Sequence, residues 1–174
     1  VVVVAAGNRG KNAAGQPQYG SITAPANAPW VLTVGGSSTN GTPDRSDDTI
    51  ASFSSRGPTF IDFAAKPDLV APGAGSVSLA DPISHFYTSK ASSLLPGSVA
   101  TASLPYLSLS GTSMATPVVS GTIALMLQAN PSLTPNAVKA ILQYTAQAYP
   151  GYDDLTQGAG FLNAVGAVRL AQFL

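Results

Sequence analysis

Continuous runs of apolar residues along the chain predict the buried strands of a parallel sheet. The first run is Val-Val-Val-Val-Ala-Ala at residues 1–6, and an uninterrupted run of this kind is typical of a strand covered on both faces. We therefore expect residues 1–6 to form a central strand. Further strands are predicted at residues 30–34, 50–54 and 106–110, and an edge strand at 68–71.

Apolar positions that recur every three or four residues predict amphipathic helices near the end of the chain. One begins at Pro135 with Thr134 as its N-cap, and a last one covers residues 163–173. We expect Lys139 and Gln143 to face solvent, because they lie off the apolar face, and the helices to flank the strands in an α/β fold. The inward positions are Val138, Ile141, Leu142 and Thr145 in the first helix and Ala164, Ala167, Val168 and Ala171 in the second.

The most apolar helix is predicted directly after Ser113. Apolar residues at 118–127 run almost all round it, so we expect this helix to be buried. Thr112 is a candidate N-cap, because its oxygen can accept an unpaired N–H of the first turn. The other first-turn amides and the helix dipole favour an oxyanion at Ser113. Taken alone, the pattern also fits a serine that only caps the helix.

The composition limits the range of functions. The chain has 174 residues, enough for one domain with a core. Only 9% of them are charged, and 8 basic residues balance 8 acidic ones, so no basic surface for nucleic acid is predicted. The chain has no cysteine, which excludes disulfides and thiolate metal sites. No apolar run is long enough for a membrane span, and residues 1–6 are too short for a signal peptide.

The string Gly-Thr-Ser-Met-Ala-Thr-Pro at residues 111–117 resembles the nucleophile segment of subtilisin-like serine peptidases. Other segments resemble this family in the same order. They are Val-Val-Val-Ala-Ala-Gly-Asn at residues 2–8, Ala-Ser-Phe-Ser-Ser-Arg-Gly-Pro at 51–58, Lys-Pro-Asp-Leu-Val-Ala-Pro-Gly at 66–73 and Gly-Ala-Gly-Phe-Leu-Asn-Ala at 158–164. The resemblance covers nearly the whole chain except residues 77–105.

The resemblance implies a subtilisin-like fold in which the buried helix supplies a nucleophilic serine, Ser113. It implies a serine endopeptidase that hydrolyses protein or peptide substrates through an acyl-enzyme on that serine. The side-chain amide of Asn8 and the backbone N–H of Ser113 would stabilise the oxyanion. No cofactor is required, and the family resemblance implies an extracellular or secreted protein.

The catalytic Asp and His of the family do not occur in recognisable form. In the Ser-His-Asp arrangement the His accepts the serine proton and the Asp orients the imidazole, but the chain contains no Asp-x-Gly segment followed by His-Gly-Thr. We therefore interpret residues 1–174 as the C-terminal half of a single subtilisin-like catalytic domain, without its N-terminal half. We expect this chain to be inactive alone, and to be ordered only with the missing half or with a second copy.

The only histidine, His85, lies in the segment 77–105 that does not resemble the family clearly. It follows Asn8 in the chain, whereas the family order places the His far upstream of the oxyanion Asn. We therefore expect His85 not to be the catalytic base. Two alternatives stay open: a non-catalytic fragment or pseudoenzyme, and a subtilisin-like acyl transferase that acts as a peptide cyclase.

The resemblance also implies a primary specificity pocket and a proline turn. Ala5, Ala6 and Gly7 would form one wall of the pocket, with Arg9 and Thr23 at its rim. Arg9 would give a small preference for acidic or polar side chains before the cleaved bond, unless it is an ordinary solvated charge. The family's proline turn implies a cis peptide bond at Ala24-Pro25.

A structural calcium or sodium ion is a further expectation from the resemblance. The carbonyl oxygens of Ala26, Ala28 and Val31 match a weak cation site in some relatives, although an ordinary solvated turn is the favoured interpretation. A second candidate is the loop that contains Asp44, Asp47 and Asp48, since calcium prefers oxygen ligands. Their spacing is not that of a calcium loop, so we favour a solvated acidic turn there too.

Overall fold

The computed structural model describes residues 1–174, and its main sheet contains four strands. They are β1 (Val3–Ala5), β2 (Leu32–Ser38), β3 (Thr49–Ile50) and β4 (Leu69–Pro72). β1 and β4 run parallel to β2 and both pair with it at Val34, so they lie on opposite sides of it. β3 pairs antiparallel with the end of β2. The parallel strands predicted at residues 1–6 and 68–71 are thus confirmed, with β2 between them.

The position of β1 differs from the prediction. Within this chain β1 pairs with β2 alone and is therefore an edge strand instead of a central one. Its side chains still alternate as in a strand with two covered faces: Val3 packs against the main core and Val4 against a small cluster with Ala6, Ile22 and Ala26. The far edge of β1 is unpaired within the chain.

Strand boundaries were also predicted imperfectly. The strand expected at residues 30–34 begins two residues later, and Trp30 is exposed before it. The strand expected at residues 50–54 shortens to β3, because Ser54 uses its hydroxyl to accept the N–H of Gly36 at 3.0 Å. After Ile50, the N–H of Ala51 still donates to the carbonyl of Gly36 at 3.0 Å, and the Ser54 hydroxyl then takes the place of a backbone partner.

Residues 76–109 form a second, antiparallel sheet beside the first. Its strands are β5 (Ser76–Leu79), β6 (Leu94–Leu95) and β7 (Tyr106–Leu109), with β7 in the middle. A short helix, α1 (His85–Ser89), lies between β5 and β6. The strand predicted before Ser113 therefore exists, but it belongs to this separate sheet and not to the parallel one.

Four further helices follow, and none of the helices is long and apolar enough to cross a membrane. They are α2 (Thr112–Ala129), α3 (Pro135–Thr145), α4 (Asp154–Gln157) and α5 (Ala164–Phe173). Thr134 caps α3 by accepting the N–H of Ala137, and Asn163 caps α5 by accepting the N–H of Gly166. The two predicted helices near the end of the chain are confirmed.

The main core lies between the parallel strands and helices α2, α3 and α5. Burial of this apolar surface provides the main favourable term in folding. The core residues are Leu32, Val34, Leu69, Ala71, Ala115, Val119, Ile123, Met126, Val138, Ile141, Leu142, Leu162, Ala167 and Ala171.

Only one face of α2 belongs to this core, contrary to the prediction of a fully buried helix. Val118, Gly121 and Leu125 lie on the other face and are exposed. Apolar residues do lie on all sides of α2, as the sequence indicated, but other parts of this chain pack against only one side of the helix. The uncovered face begins one turn from Ser113 and continues along α2.

Candidate active site

Ser113 is the second residue of α2, and its side chain is exposed at the N-terminal end of the helix. The backbone N–H groups of its neighbours are paired: Thr112 donates to Asn8 Oδ1 and Met114 to the carbonyl of Gly111. The N–H of Ser113 itself has no hydrogen-bond partner within the chain. This unpaired donor lies at the positive end of the helix dipole.

Asn8 lies at the carboxyl end of β1, next to the start of α2. Its Oδ1 accepts hydrogen bonds from the N–H of Thr112 at 2.9 Å and from Thr112 Oγ1 at 3.0 Å. Its Nδ2 makes no hydrogen bond within the chain, so this amide nitrogen is free to donate. A Cβ added to Gly111 would lie 3.2 Å from Asn8 Nδ2, a close contact that would require this side chain to shift slightly.

The prediction that Thr112 caps α2 is wrong. The N-cap is Gly111, and Thr112 is the first helical residue. Its hydroxyl accepts the N–H of Gly7 at 3.2 Å while donating to Asn8. Two partners that follow β1, Gly7 and Asn8, therefore replace the local capping bond, and they fasten the chain after the strand to the start of the helix.

Gly7, Thr23 and Ser55 form a close group at the expected wall of the specificity pocket. A Cβ on Gly7, whose φ is +110°, would lie 2.7 Å from Thr23 Oγ1 and 2.9 Å from Ser55 Oγ, so only glycine fits. Ser55 Oγ also accepts the N–H of Arg9, whose side chain is exposed. The sequence analysis did not place Ser55 at this wall.

Ala6 is not placed as expected for a residue that faces a substrate. It is completely buried, in the small cluster with Ile22 and Ala26. The N–H of Ala6 donates to the carbonyl of Val34, and its carbonyl accepts the N–H of Thr23. Ala6 therefore supports the wall from behind, whereas Ala5, Gly7 and Thr23 are half-buried.

A cleft of about 620 Å³ opens on Ser113 from the side of the second sheet. Its walls come from α2, through Met114, Pro117 and Val118, and from residues of β5, β7 and α1. Neither Asn8 nor any of the residues expected at the specificity pocket lines this cleft. The segment 77–105 thus forms a wall beside the serine, which the sequence did not indicate.

No general base of this chain contacts Ser113. The hydroxyl of Ser113 makes no hydrogen bond to another side chain, and His85 is exposed and does not line the cleft at Ser113. This arrangement agrees with the expectation that His85 is not the catalytic base. A serine hydroxyl without a neighbouring base is a weak nucleophile.

A buried ion cluster, absent from the predictions, lies at the other end of the parallel sheet. Asp68 accepts from Lys66 Nζ at 2.6 Å and from Lys139 Nζ at 3.0 Å, while the N–H of Thr33 donates to the same carboxylate. The side chains of Lys66 and Asp68 are only 3% and 6% exposed. Burial lowers the pKa of the Lys66 ammonium, although the hydrogen bond and charge of Asp68 act in the opposite direction.

This cluster corrects the predicted orientation of Lys139 and Gln143. Neither is fully exposed: Lys139 pairs with Asp68, and Gln143 Nε2 lies 3.5 Å from Asp68 Oδ1. Helical spacing places them off the apolar face, but it cannot show that a buried carboxylate, Asp68 directly before β4, lies beside that part of the helix. Long polar side chains reach such a partner while their stems cover apolar surface.

The predicted cation carbonyls do not fit an ion well. The carbonyl of Val31 accepts from both Lys66 Nζ and Lys139 Nζ at 3.0 Å, and a metal ion beside two ammonium groups would be repelled. The carbonyl of Ala26 accepts from Thr33 Oγ1, and that of Ala28 from the N–H of Val31. The two ammonium groups supply positive charge where a cation was expected.

The acidic loop binds its own backbone and side chains. Asp44 accepts from the N–H and hydroxyl of Ser46, which lowers the pKa of Asp44, and Asp47 accepts from Thr42. Burial raises the pKa of Asp48, with Arg45 acting against it. No three His, Cys, Asp or Glu side chains in the chain are grouped so that they could hold a metal.

The peptide bond at Ala24-Pro25 is cis, as predicted. Two further X-Pro bonds are also cis, at Gly57-Pro58 and Lys66-Pro67, and the sequence analysis did not indicate them.

These features agree with what comparison with known proteins shows. The sequence model of the subtilase family matches residues 1–167. The chain belongs to the subtilase family.

Similar proteins include peptidases from several bacteria. Serine protease AprX of Bacillus subtilis is 42% identical over 97% of this chain, which spans 35% of that protein. An extracellular protease of Xanthomonas campestris is 35% identical over 98% of this chain, and the match covers 23% of that protein. A solved protease of Pseudoalteromonas arctica superposes with a TM-score of 0.67 and 29% identity, over 98% of this chain and 42% of the other. The chain thus spans about a third or less of these two curated relatives.

Proposed function

We propose that this chain supplies the nucleophile and the oxyanion site of a subtilisin-like serine endopeptidase. The observation that supports this best is the pair of unpaired donors beside an exposed serine: the N–H of Ser113 and the Nδ2 of Asn8. Donors held in place before the reaction stabilise developing negative charge without reorganisation. Here Asn8 is held by Thr112, and Ser113 by the helix.

The reaction begins when Ser113 Oγ attacks the carbonyl carbon of a peptide bond, while a general base accepts its proton. The carbonyl oxygen becomes an oxyanion and binds the two donors. Collapse of this intermediate expels the amine, which takes the proton back, and leaves the acyl group on Ser113. Water then releases the acid by the same steps.

The general base comes, in this proposal, from outside residues 1–174, together with the Asp that orients it. His85 is the only histidine of the chain and does not line the cleft at Ser113. The unpaired edge of β1 and the exposed face of α2 beyond Val118, at Gly121 and Leu125, provide the surfaces on which the remaining part of the catalytic domain would pack. We propose residues 1–174 as the C-terminal half of that domain.

The substrate is proposed to be a protein or peptide whose residue before the cleaved bond lies against Ala5, Gly7 and Thr23, with Arg9 at the rim. Arg9 is exposed, so any preference for acidic residues should be small and sensitive to salt. Because one similar protein is described as extracellular, we also propose secretion. The reaction needs no cofactor.

Labelling with a fluorophosphonate tests this function directly, because the reagent reacts only with an activated serine. We expect the complete protein to be labelled on the peptide that contains Ser113, and the isolated 174 residues to stay unlabelled since the base is missing. Heat-denatured protein is the control. If the complete native protein is not labelled, the chain belongs to a non-catalytic member of the family.

Replacing Asn8 by alanine should reduce kcat about 100- to 1,000-fold with little change in KM, because Nδ2 acts only on the oxyanion. This magnitude is taken from subtilisin itself, a member of the same family. Steady-state kinetics of the complete protein on a peptide substrate measure it. Asn12→Ala, a change in an exposed loop, is the control; a rise in KM with kcat unchanged in Asn8→Ala would contradict the role.

A further inference from the structure

The segment 76–109 forms an arm beside Ser113 that the proposed function does not yet use. This arm consists of β5, α1, β6 and β7, and it provides one wall of the cleft that opens on the nucleophile. Three of its side chains in that wall are relevant: Leu79, Asp81 and Phe86. Leu79 is 80% exposed and Phe86 58% exposed.

Exposed apolar side chains gathered in a cleft are typical of a binding surface. This surface is continuous with the reactive serine, because Ser113 and Met114 line the same cleft. Asp81 is the only charged residue that lines it. One of its oxygens accepts the N–H of Ile83 at 3.0 Å, while the other makes no hydrogen bond within the chain. The cleft is therefore apolar with one free negative charge.

The direction of a bound peptide follows from the two donors. If the carbonyl oxygen binds the N–H of Ser113 and Asn8 Nδ2, and the residue before the cleaved bond lies against Gly7, the chain must leave on the other side of Ser113. Asn8 and Gly7 do not line the cleft, whereas Met114 and Pro117 do. The cleft therefore lies on a different side of Ser113 from Asn8 and Gly7, as the path of the residues after the cleaved bond requires.

We propose that the arm binds the leaving-group side of the substrate and selects an apolar residue directly after the cleaved bond, followed by a basic one. Leu79 and Phe86 contact the apolar side chain, and Asp81 pairs with the basic one. This proposal rests on the proposed function, since it requires an acyl-enzyme on Ser113.

Acyl transfer isolates this side of the site. The complete protein is acylated by a peptide ester, and a dipeptide amide then competes with water. Its amine nitrogen attacks the acyl carbon, the bond from that carbon to Ser113 Oγ breaks, and an amide bond forms. The amine gives its proton to the general base, which returns one to Ser113 Oγ. The acceptors are Leu-Arg, Gly-Arg and Leu-Asp amides. The ratio of the transfer products that two competing acceptors give is independent of the rate of acylation.

We expect Leu-Arg amide to give about ten times more acyl-transfer product than Gly-Arg amide, because leucine buries apolar surface against this wall and glycine does not. It should exceed Leu-Asp amide about two- to fivefold at low salt, and less at high salt, since Asp81 is exposed. Phe86→Ala should reduce the first ratio to about threefold or less. Leu79→Ser is a second variant that should lower the ratio of Leu-Arg to Gly-Arg product. Asp81→Asn should bring the ratio of Leu-Arg to Leu-Asp product close to one.

Ile83→Ala is the matched control, because Ile83 belongs to the same arm, is 93% exposed and does not line the cleft. Both ratios should be unchanged in it. If the ratios stay the same in Phe86→Ala, Leu79→Ser and Asp81→Asn while Ser113 is still labelled, the arm does not select the leaving group. That result would also be seen if another part of the protein fills the cleft. If Ser113 is not labelled at all, the proposed function and this inference both fail.

Discussion

Replacing Ser113 by alanine is expected to abolish both fluorophosphonate labelling and peptide hydrolysis of the complete protein. Alanine lacks the oxygen that attacks the substrate, so no acyl-enzyme can form, and the loss should be several orders of magnitude in kcat. Because Ser113 is exposed and its hydroxyl makes no hydrogen bond to another side chain, the melting temperature should stay nearly the same.

Ser120→Ala is the matched control for this prediction. Ser120 lies on the same helix, is exposed, and uses its hydroxyl only to bond the carbonyl of Thr116. We expect its activity and labelling to equal those of the parent protein. Hydrolysis that persists in Ser113→Ala, measured with a fluorogenic peptide, would show that a different residue is the nucleophile.

Replacing Asp68 by asparagine is expected to destabilise the complete protein by about 3–5 kcal/mol, because two ammonium groups would lose the only carboxylate that they contact. Lys66 is almost completely buried, so water cannot take over the role of Asp68. A loss of this size is a large part of the roughly 5–15 kcal/mol by which domains are stable. Asparagine keeps the shape of the side chain, so the effect reports the charge.

Urea unfolding measures this effect, in a Ser113→Ala background that prevents self-digestion. Asp47→Asn is the control: its carboxylate is exposed and bonds only Thr42, and the expected change is within about 0.5 kcal/mol. A change of less than about 1 kcal/mol in Asp68→Asn would mean that solvent already reaches the cluster and that the ion pairs add little.

The sequence points to Ser113 as the candidate nucleophile because the signals for it are local. A polar turn, a serine and an apolar helix are adjacent in the chain, and the string at residues 111–117 is specific enough to identify the family. Asn8 could be placed for a similar reason: it ends an apolar run, and the carboxyl edge of a parallel sheet is where ligands bind. The orientation of its side-chain amide depends on the hydrogen bonds from Thr112, which the sequence assigned to a different bond.

The sequence by itself determined the family, the α/β class, helix α3 with its cap Thr134, helix α5, and the candidate nucleophile Ser113. These depend on the spacing of residues within a few positions of one another. Only the tertiary structure decided that Thr112 bonds Gly7 and Asn8 after β1 instead of capping its helix, that β7 belongs to a separate sheet, and that Lys139 joins Lys66 and Asp68. These contacts bring distant segments together, and their energies depend on burial and on partners that no local pattern specifies.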